Sequence, residues 1–567
     1  MAGPRDVSRL VNLRLYRLAF IPAAVALVAV MFSLEGVPPP IAQPVPAGTY
    51  QGDSAAATAR QIVRLAPERP AGSAGDDRVA DFVADRFKQI SGGAVGEQRV
   101  DAELDGGDAS VRNVFLTLPG DVGRTIVVVA GRDSPRGPGA ASSAAATGAL
   151  LELAGSLGVA GHNATYVLAS TSGGSSGVTQ LLDGLSDEDV EAAVVISQPG
   201  AAAPSQDYVV ASSSGERSAS IQVRRTAAEA VLNQVGTAAA EPSAFESLAR
   251  LAIPSGIGAQ APLIAEGVDA VAISSAGERP LPESADQLDD LSAETLDGFG
   301  RATQILIGEI DGAASLEHGP TAYMQIGDNL VPGWSLSLLA LALLLPALVA
   351  AIDGCARASR REQHLVRGLG WAAARSMPAI GALAVLYGLA LVGVVPRPPF
   401  PFDPGLHPVG ARAVISLVAI VGAGLASAGV LRLLRVTGST APASSVAALG
   451  ALTSAAGLVL WLANPYLALL AAPVAHLWLL ADSPPSRRRG AVVALSAALA
   501  AVPAIAALAS VSRALDLGAD APWTLTIMVA DGQLGLAITA ASCFLLGGLL
   551  GAVALALARG RDLPTAA

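Results

Sequence analysis

A serine framed by glycines, Gly173-Gly174-Ser175-Ser176-Gly177, matches the G-x-S-x-G pattern and follows an apolar run. In hydrolases that pattern presents a nucleophilic hydroxyl at a strand-to-helix turn. Such a hydroxyl also needs an imidazole base. Residues 34–333 hold only His162 and His318, and only His318 follows the serine, about 15 residues before an apolar segment. The competing reading is a Gly/Ser loop without a nucleophile. Metal chemistry has equally few donors. The two cysteines, Cys355 and Cys543, lie outside residues 34–333, so that region holds no thiolate site and no disulfide.

The chain has 567 residues, 52% of them hydrophobic and 15% charged. It is too apolar to be disordered or wholly soluble, and too long for one domain. Its charge of −11 conceals two halves. Residues 34–333 carry 38 acids and 17 bases, a net of −21, and the remainder 9 acids and 19 bases, a net of +10. The acidic half argues against nucleic acid as a partner. One lysine, Lys88, stands against 35 arginines, a bias expected of a high-GC genome.

Residues 1–17 are basic (Arg5, Arg9, Arg14, Arg17), and an apolar run over 18–34 reads as an uncleaved signal anchor. A cleaved signal peptide is the alternative. Residues 35–54 form a Pro-rich linker, 55–315 a folded domain, 316–333 a juxtamembrane linker, 334–558 a bundle of about seven spans and 559–567 a tail. The spans are expected near 334–352, 374–395, 411–433, 444–463, 465–481, 490–511 and 534–558. Residues 444–481 read either as two crossings or as one re-entrant hairpin.

Arginines alternate with acids between the spans. Arg357, Arg360, Arg361 and Arg367, then Arg432 and Arg435, then Arg487, Arg488 and Arg489, then Arg559 and Arg561 mark one side. Asp403, and later Asp516, Asp520 and Asp531, mark the other. This places both termini in the cytoplasm and the 55–315 domain outside the cell membrane. No Asp or Glu falls within a span core. His476 is the one ionisable candidate there, and it reads as a packing histidine more readily than as a proton relay.

Within the domain, helices are expected near 76–90, 144–157 and 292–310. Strands are expected over 113–118, 125–130, 164–170 and 268–274, with another ending near Ile196. That alternation predicts an α/β/α sandwich around a mixed sheet, its chemistry in the loops at the strands' carboxyl ends.

In those loops the sequence resembles the zinc-dependent aminopeptidase family. The likeness lies in Arg69-Pro70-Ala71-Gly72-Ser73, in Asn113-Val114 to Leu118-Pro119-Gly120, in 139–154, in Gln260-Ala261-Pro262-Leu263 to Ala270-Val271, and in 289–310. The resemblance implies two zinc ions held by two histidines and three carboxylates, with a glutamate as general base. This chain departs from that set. The first histidine position holds Gly131, the bridging aspartate Ser142, the paired glutamates Ser172 and Gly173, the next carboxylate Ser197 and the last histidine Gln260. Only Asp133 remains, an aspartate that in the family orients a histidine. Hydroxyls and an amide are poor zinc ligands, so the expectation is no metal, no cofactor and no catalytic residue.

The expected cleft residues are Arg132, Asp133, Ser142, Ser143, Ser172, Ser175, Ser197 and Gln260, suited to a peptide terminus, a sugar or a polar headgroup. They read equally well as solvated loop residues, with Arg132 and Asp133 forming a local ion pair. One N-terminal span, such a domain and about seven further spans also resemble the large membrane subunit of GPI transamidase. That layout implies a scaffold for a protein, peptide or lipid-linked substrate, alone or with other membrane subunits. The alternatives are an active metallo-aminopeptidase with atypical ligands and a transporter with an accessory outer domain.

Overall fold

Short β-branched runs separated by glycine-rich turns build the central sheet of the computed structural model. The structure describes residues 12–42, 49–104, 107–212, 217–399, 401–434, 441–482 and 489–561. Arg5, Arg9, Pro44, Pro46, Arg435, Arg487 and Arg488 lie outside them. The strands are β1 (Glu35–Gly36), β2 (Ala94–Leu104), β3 (Gly107–Leu118), β4 (Arg124–Gly131), β5 (Thr165–Thr171), β6 (Asp189–Ser197), β7 (Val209–Val210), β8 (Asp269–Ser274), β9 (Tyr323–Ile326) and β10 (Asn329–Pro332). Seven of them form one mixed sheet in the order β2-β3-β5-β4-β6-β8-β7. Strands β5, β4, β6 and β8 are mutually parallel, and the outer pairings are antiparallel.

In β4 the run Ile126–Ala130 is wholly buried, as a central strand covered on both faces requires. Helices Gly52–Leu65, Ala74–Phe87, Ala145–Leu157, Ile221–Val235 and Ala293–Gly312 cover one face, and Gly174–Asp183 and Gln260–Ala265 the other. The domain is therefore the expected α/β/α sandwich. Strands β4, β5, β6 and β8 end together at their carboxyl edge, and the loops that follow them share one cleft. The opposite edge is tied by Asp311, whose carboxylate accepts the backbone N–H of Asn163 (3.0 Å) and of Ala164 (2.6 Å) at the start of β5.

The stretches read as linkers carry structure. Strands β9 and β10 form a hairpin within 316–333, and Glu35–Gly36 adds a third strand to it. The first helix of the domain begins at Gly52, and Tyr50 before it is buried. Backbone pairing over two to four residues leaves little imprint on composition, so the sequence read as spacer.

Among the described residues seven helices are long and apolar enough to cross a membrane, or eight if a bent pair counts as one. They are Leu13–Phe32, Gly333–Arg360, Ala411–Leu433, Ser445–Ala463, Pro465–Asp482, Ala491–Ala514 and Leu536–Ala556. The bent pair, Leu365–Ala374 with Met377–Leu391, turns by 51° and occupies the expected 374–395 span. Ser445–Ala463 and Pro465–Asp482 each pass as separate candidate spans, joined at Asn464. Val414, Ile415, Val418, Val421 and Leu425 face outward on Ala411–Leu433, an apolar surface suited to contact with lipid.

His476 lies among these helices. Its Nδ1 is 3.0 Å from the Tyr16 hydroxyl, its Nε2 is 2.9 Å from the Leu343 carbonyl oxygen, and its ring stacks on Phe20. Both ring nitrogens are engaged in helix packing.

Replacing Asp311 by alanine strands the Asn163 and Ala164 amides. It should cost about 2–3 kcal/mol of domain stability, read as a fall of several degrees in melting temperature. An unchanged melting temperature would contradict this role.

Candidate ligand cleft

At the carboxyl edge of the sheet lies a cavity of about 650 Å³. Its walls come from Gly131 at the end of β4 and Asp133 after it, Ser142 and Ser143, Gly173 to Ser175 after β5, and Val195 to Ser197 at the end of β6 with Gln198 after it. Glu278, Pro280, Leu281 and Asp286 close another side. The roof is supplied from between two candidate spans by Pro398, Pro399, Pro401, Phe402, Asp403, Leu406 and His407. Arg136 fastens that roof, donating to the Gly405 carbonyl and to the Asp403 carboxylate, each at 2.6 Å.

Beneath the cleft two guanidinium groups are fully buried. Arg69 donates from Nε to the Arg132 carbonyl (2.8 Å) and from its terminal nitrogens to the carbonyls of Pro138 (2.6 Å) and Gly139 (3.2 Å) and to the Ser143 hydroxyl (2.7 Å). Burial lowers its pKa to about 10, offset in part by Asp133, Asp286 and Asp76. It stays charged at neutral pH.

Arg132 donates to the Ser170 carbonyl (3.0 Å) and to the Arg112 carbonyl, and its Nε lies 2.7 Å from Asp76 Oδ1. Neither atom of that last contact forms an aligned hydrogen bond, so the attraction is coulombic. The ion-pair partner of Arg132 is therefore Asp76, not its neighbour Asp133. Asp76 Oδ2 accepts from the Ser172 hydroxyl (2.6 Å) and the Gly72 amide (3.0 Å). Asp76 sits in the first turn of Ala74–Phe87, where the helix dipole favours a carboxylate.

The structure thus sorts the expected residues. Asp133, Ser142, Ser143, Ser175 and Ser197 line the cavity. Arg132 and Ser172 are fully buried in its floor, consumed by the Asp76 network. Gln260 is also buried behind the wall, its amide donating to the Ser212 carbonyl at 3.4 Å.

Asp286 joins them as a residue the sequence reading missed. It accepts the backbone N–H of Ala141 (2.8 Å) and Ser142 (3.0 Å) and the Ser142 hydroxyl. Those amides belong to a π-helical turn, Ala140–Ala144, entered through Gly139 at φ 53°. A side chain at Gly139 would meet the hydroxyls of Ser143 and Ser134, so the turn requires glycine.

Gln198 is a second missed residue, at φ 47°. Its side chain accepts from the Leu281 amide (2.6 Å) and donates to the carbonyls of Gly277 (3.3 Å) and Arg279 (3.1 Å). It holds the 277–281 wall, and that network sustains its unfavourable backbone. Contacts 79 to 145 residues apart leave no local pattern.

Of the histidines, His407 lines the cavity together with Ser175, whereas His162 and His318 lie elsewhere. Gly173 (φ 79°) and Gly174 (φ 57°) carry the left-handed turn, and Ser175 is not among the residues with positive φ. The strained nucleophile that defines the elbow is therefore absent from it. His318 lies 2.5 Å from Asp269, the first residue of β8, at the far edge of the sheet. His162 is held at that edge too, its Nδ1 2.9 Å from the Ala164 carbonyl oxygen.

Among the described residues no three His, Cys, Asp or Glu side chains are placed to hold a metal ion. Asp286 is filled by three donors, and Ser172 is committed to Asp76.

The cleft is acidic. Asp133, Glu278, Asp286 and Asp403 face Arg136, and Glu278 is paired with Arg250 at 2.8 Å. Burial raises the Asp133 pKa to about 6, reinforced by Asp76 and opposed by Arg132. Burial also raises Asp286 and Asp403 above the ordinary carboxylate range, against the hydrogen bonds each accepts.

No protein-family model matches the chain, and no curated protein matches it. Solved structures do. A glutaminyl cyclase from an Acidobacteriales bacterium is 19% identical, covers 48% of this chain and 99% of its own, and superposes with a TM-score of 0.38. BSAP, a zinc aminopeptidase from Bacillus subtilis, is 12% identical over 48% and 98%, with a TM-score of 0.40. LapB from Legionella pneumophila is 17% identical over 51% and 81%, with a TM-score of 0.39.

Two measurements test the floor. Arg132→Met leaves Asp76 buried and unpaired and should cost about 3–5 kcal/mol, against about 1–3 kcal/mol for Ser142→Ala. The reverse order in thermal melts would refute the assignment. For Asp133 the folded pKa is raised, so the native state binds the proton more tightly than the unfolded chain. Its destabilising effect is full above pH 6 and fades as pH falls towards 4. Asp133→Asn should remove that slope and raise stability at pH 7 by roughly 1–2 kcal/mol. An unaltered pH profile would exclude this titration.

Proposed function

We propose that this chain is a multi-pass membrane protein whose α/β domain, outside the cell membrane, recognises a polar ligand without cleaving it. The observation that supports this reading is the cleft itself. Carboxylates and hydroxyls line one side, and the proline-rich loop from between two candidate spans covers the other. Ser142, Ser172 and Asp286 are engaged in holding the walls.

The ligand class that suits this lining has a positively charged or hydroxyl-bearing end and an apolar flank. The end faces Asp133 and Asp286. The flank lies against Phe402, Leu406 and the prolines. A peptide amino terminus meets that description, and so does a polar lipid-linked group. Because the roof belongs to the membrane part, binding by the α/β domain bears directly on the arrangement of the spans, as a scaffold or substrate-presenting subunit requires.

The test uses the full chain in lipid nanodiscs and short peptides with free or acetylated amino termini. Free-amine peptides should bind equally well with and without chelator, and without product. Asp133→Asn should weaken that binding by about tenfold. Peptide hydrolysis abolished by chelator would overturn the proposal in favour of a metallo-aminopeptidase with atypical ligands.

A further inference from the structure

A second cavity, of about 480 Å³, lies where the α/β domain meets the bundle. Its walls are β7, the hairpin residues Tyr323 and Gln325, the helix Ala244–Ala252, and the last turn of the candidate span Ala491–Ala514 through Ser510, Arg513 and Ala514. We propose that this cavity binds the phosphate-bearing headgroup of a membrane lipid from the leaflet on the α/β-domain side.

Arg224 carries the argument. It projects from Ile221–Val235, lines the cavity and is 9% exposed. Its terminal nitrogen donates to the Gln325 amide oxygen, and its Nε has no acceptor among the described residues. No carboxylate among the described residues lies within ion-pair distance of it. A buried cation without a counter-charge is costly, and an anion delivered to it relieves that cost. The adjacent Arg250 does not share this need, because Glu278 neutralises it. Arg513 uses its Nε on the Ala509 carbonyl (3.1 Å) in the last turn of its own helix, which sets its guanidinium at the cavity.

Position and lining identify the anion's source. The end of a candidate span places the cavity at headgroup depth, and Phe245, 38% exposed, lies at the same wall. Asp207, Glu241 and Glu246 also line the cavity. They repel a free dianion but accept hydroxyl or ammonium groups. A phosphodiester carrying such groups meets both signs of charge. A guanidinium matches its oxygens in paired hydrogen bonds.

The test uses the full chain, delipidated in a neutral detergent. It is titrated with dihexanoyl phosphatidylethanolamine, dihexanoyl phosphatidylglycerol, glycerol phosphate or inorganic phosphate. Melting temperature and native mass spectrometry are the readouts. A short-chain phospholipid should bind and raise the melting temperature, and the water-soluble phosphates should not. Arg224→Gln should melt no lower than the parent without lipid, and should lose at least about tenfold in lipid affinity. Arg513→Gln, on an exposed side chain, should fold normally and lose about threefold. An equal lipid response in the parent and both variants would overturn the proposal. An equal response to inorganic phosphate would overturn the lipid as source.

Discussion

Two buried arginines set the shape of the cleft. A guanidinium removed from water must find acceptors for its hydrogens and an answer to its charge. Arg69 meets the first demand with the carbonyls of Pro138, Gly139 and Arg132, and Arg132 with those of Ser170 and Arg112. Asp76 answers the charge. The loops after β4 and β5, the entrance to the π-helical turn and the first turn of Ala74–Phe87 are thereby fixed to one another. Removing one member leaves the others with unmet charge or hydrogen bonds, which makes the floor a single unit.

That unit explains the chemistry of the cavity above it. Ser172 serves Asp76, and Ser142 with two amides serves Asp286. Groups that resemble reactive ones by type are occupied as structural donors and acceptors. What lines the cavity besides is a rim of carboxylates, among which burial raises the pKa of Asp133 and Asp403. Such a rim can bind and exchange protons, and it lacks a convergent set of metal ligands among the described residues.

The cleft is also tied to the helices that are long and apolar enough to cross a membrane. Arg136 clasps Asp403 and Gly405. Arg279 donates to the Asp516 carbonyl and lies 3.8 Å from Asp520. Asn464, at the turn between two candidate spans, donates to the Leu251 carbonyl at 3.1 Å and joins Ala244–Ala252 to the bundle. Glu278 lines both cavities, and its ion-pair partner Arg250 lines the second one.

Periodicity and charge alone determined much of this protein. The β-branched run at Thr125–Ala130, the strand and helix alternation after it, and the apolar segments after residue 333 were legible because each is a local pattern of burial. That residues 34–333 hold only His162 and His318 was legible from residue type alone, and that His407 reaches the cleft from outside that region was not. Tertiary structure decided which of the polar residues meet. Asp286 reaches Ser142 across 144 residues, Arg132 turns from Asp133 to Asp76, and a loop between two candidate spans brings Asp403 and His407 over the sheet. A buried polar group takes the partner that geometry puts within about 3 Å. Sequence spacing carries no record of that distance once the chain has crossed the sheet.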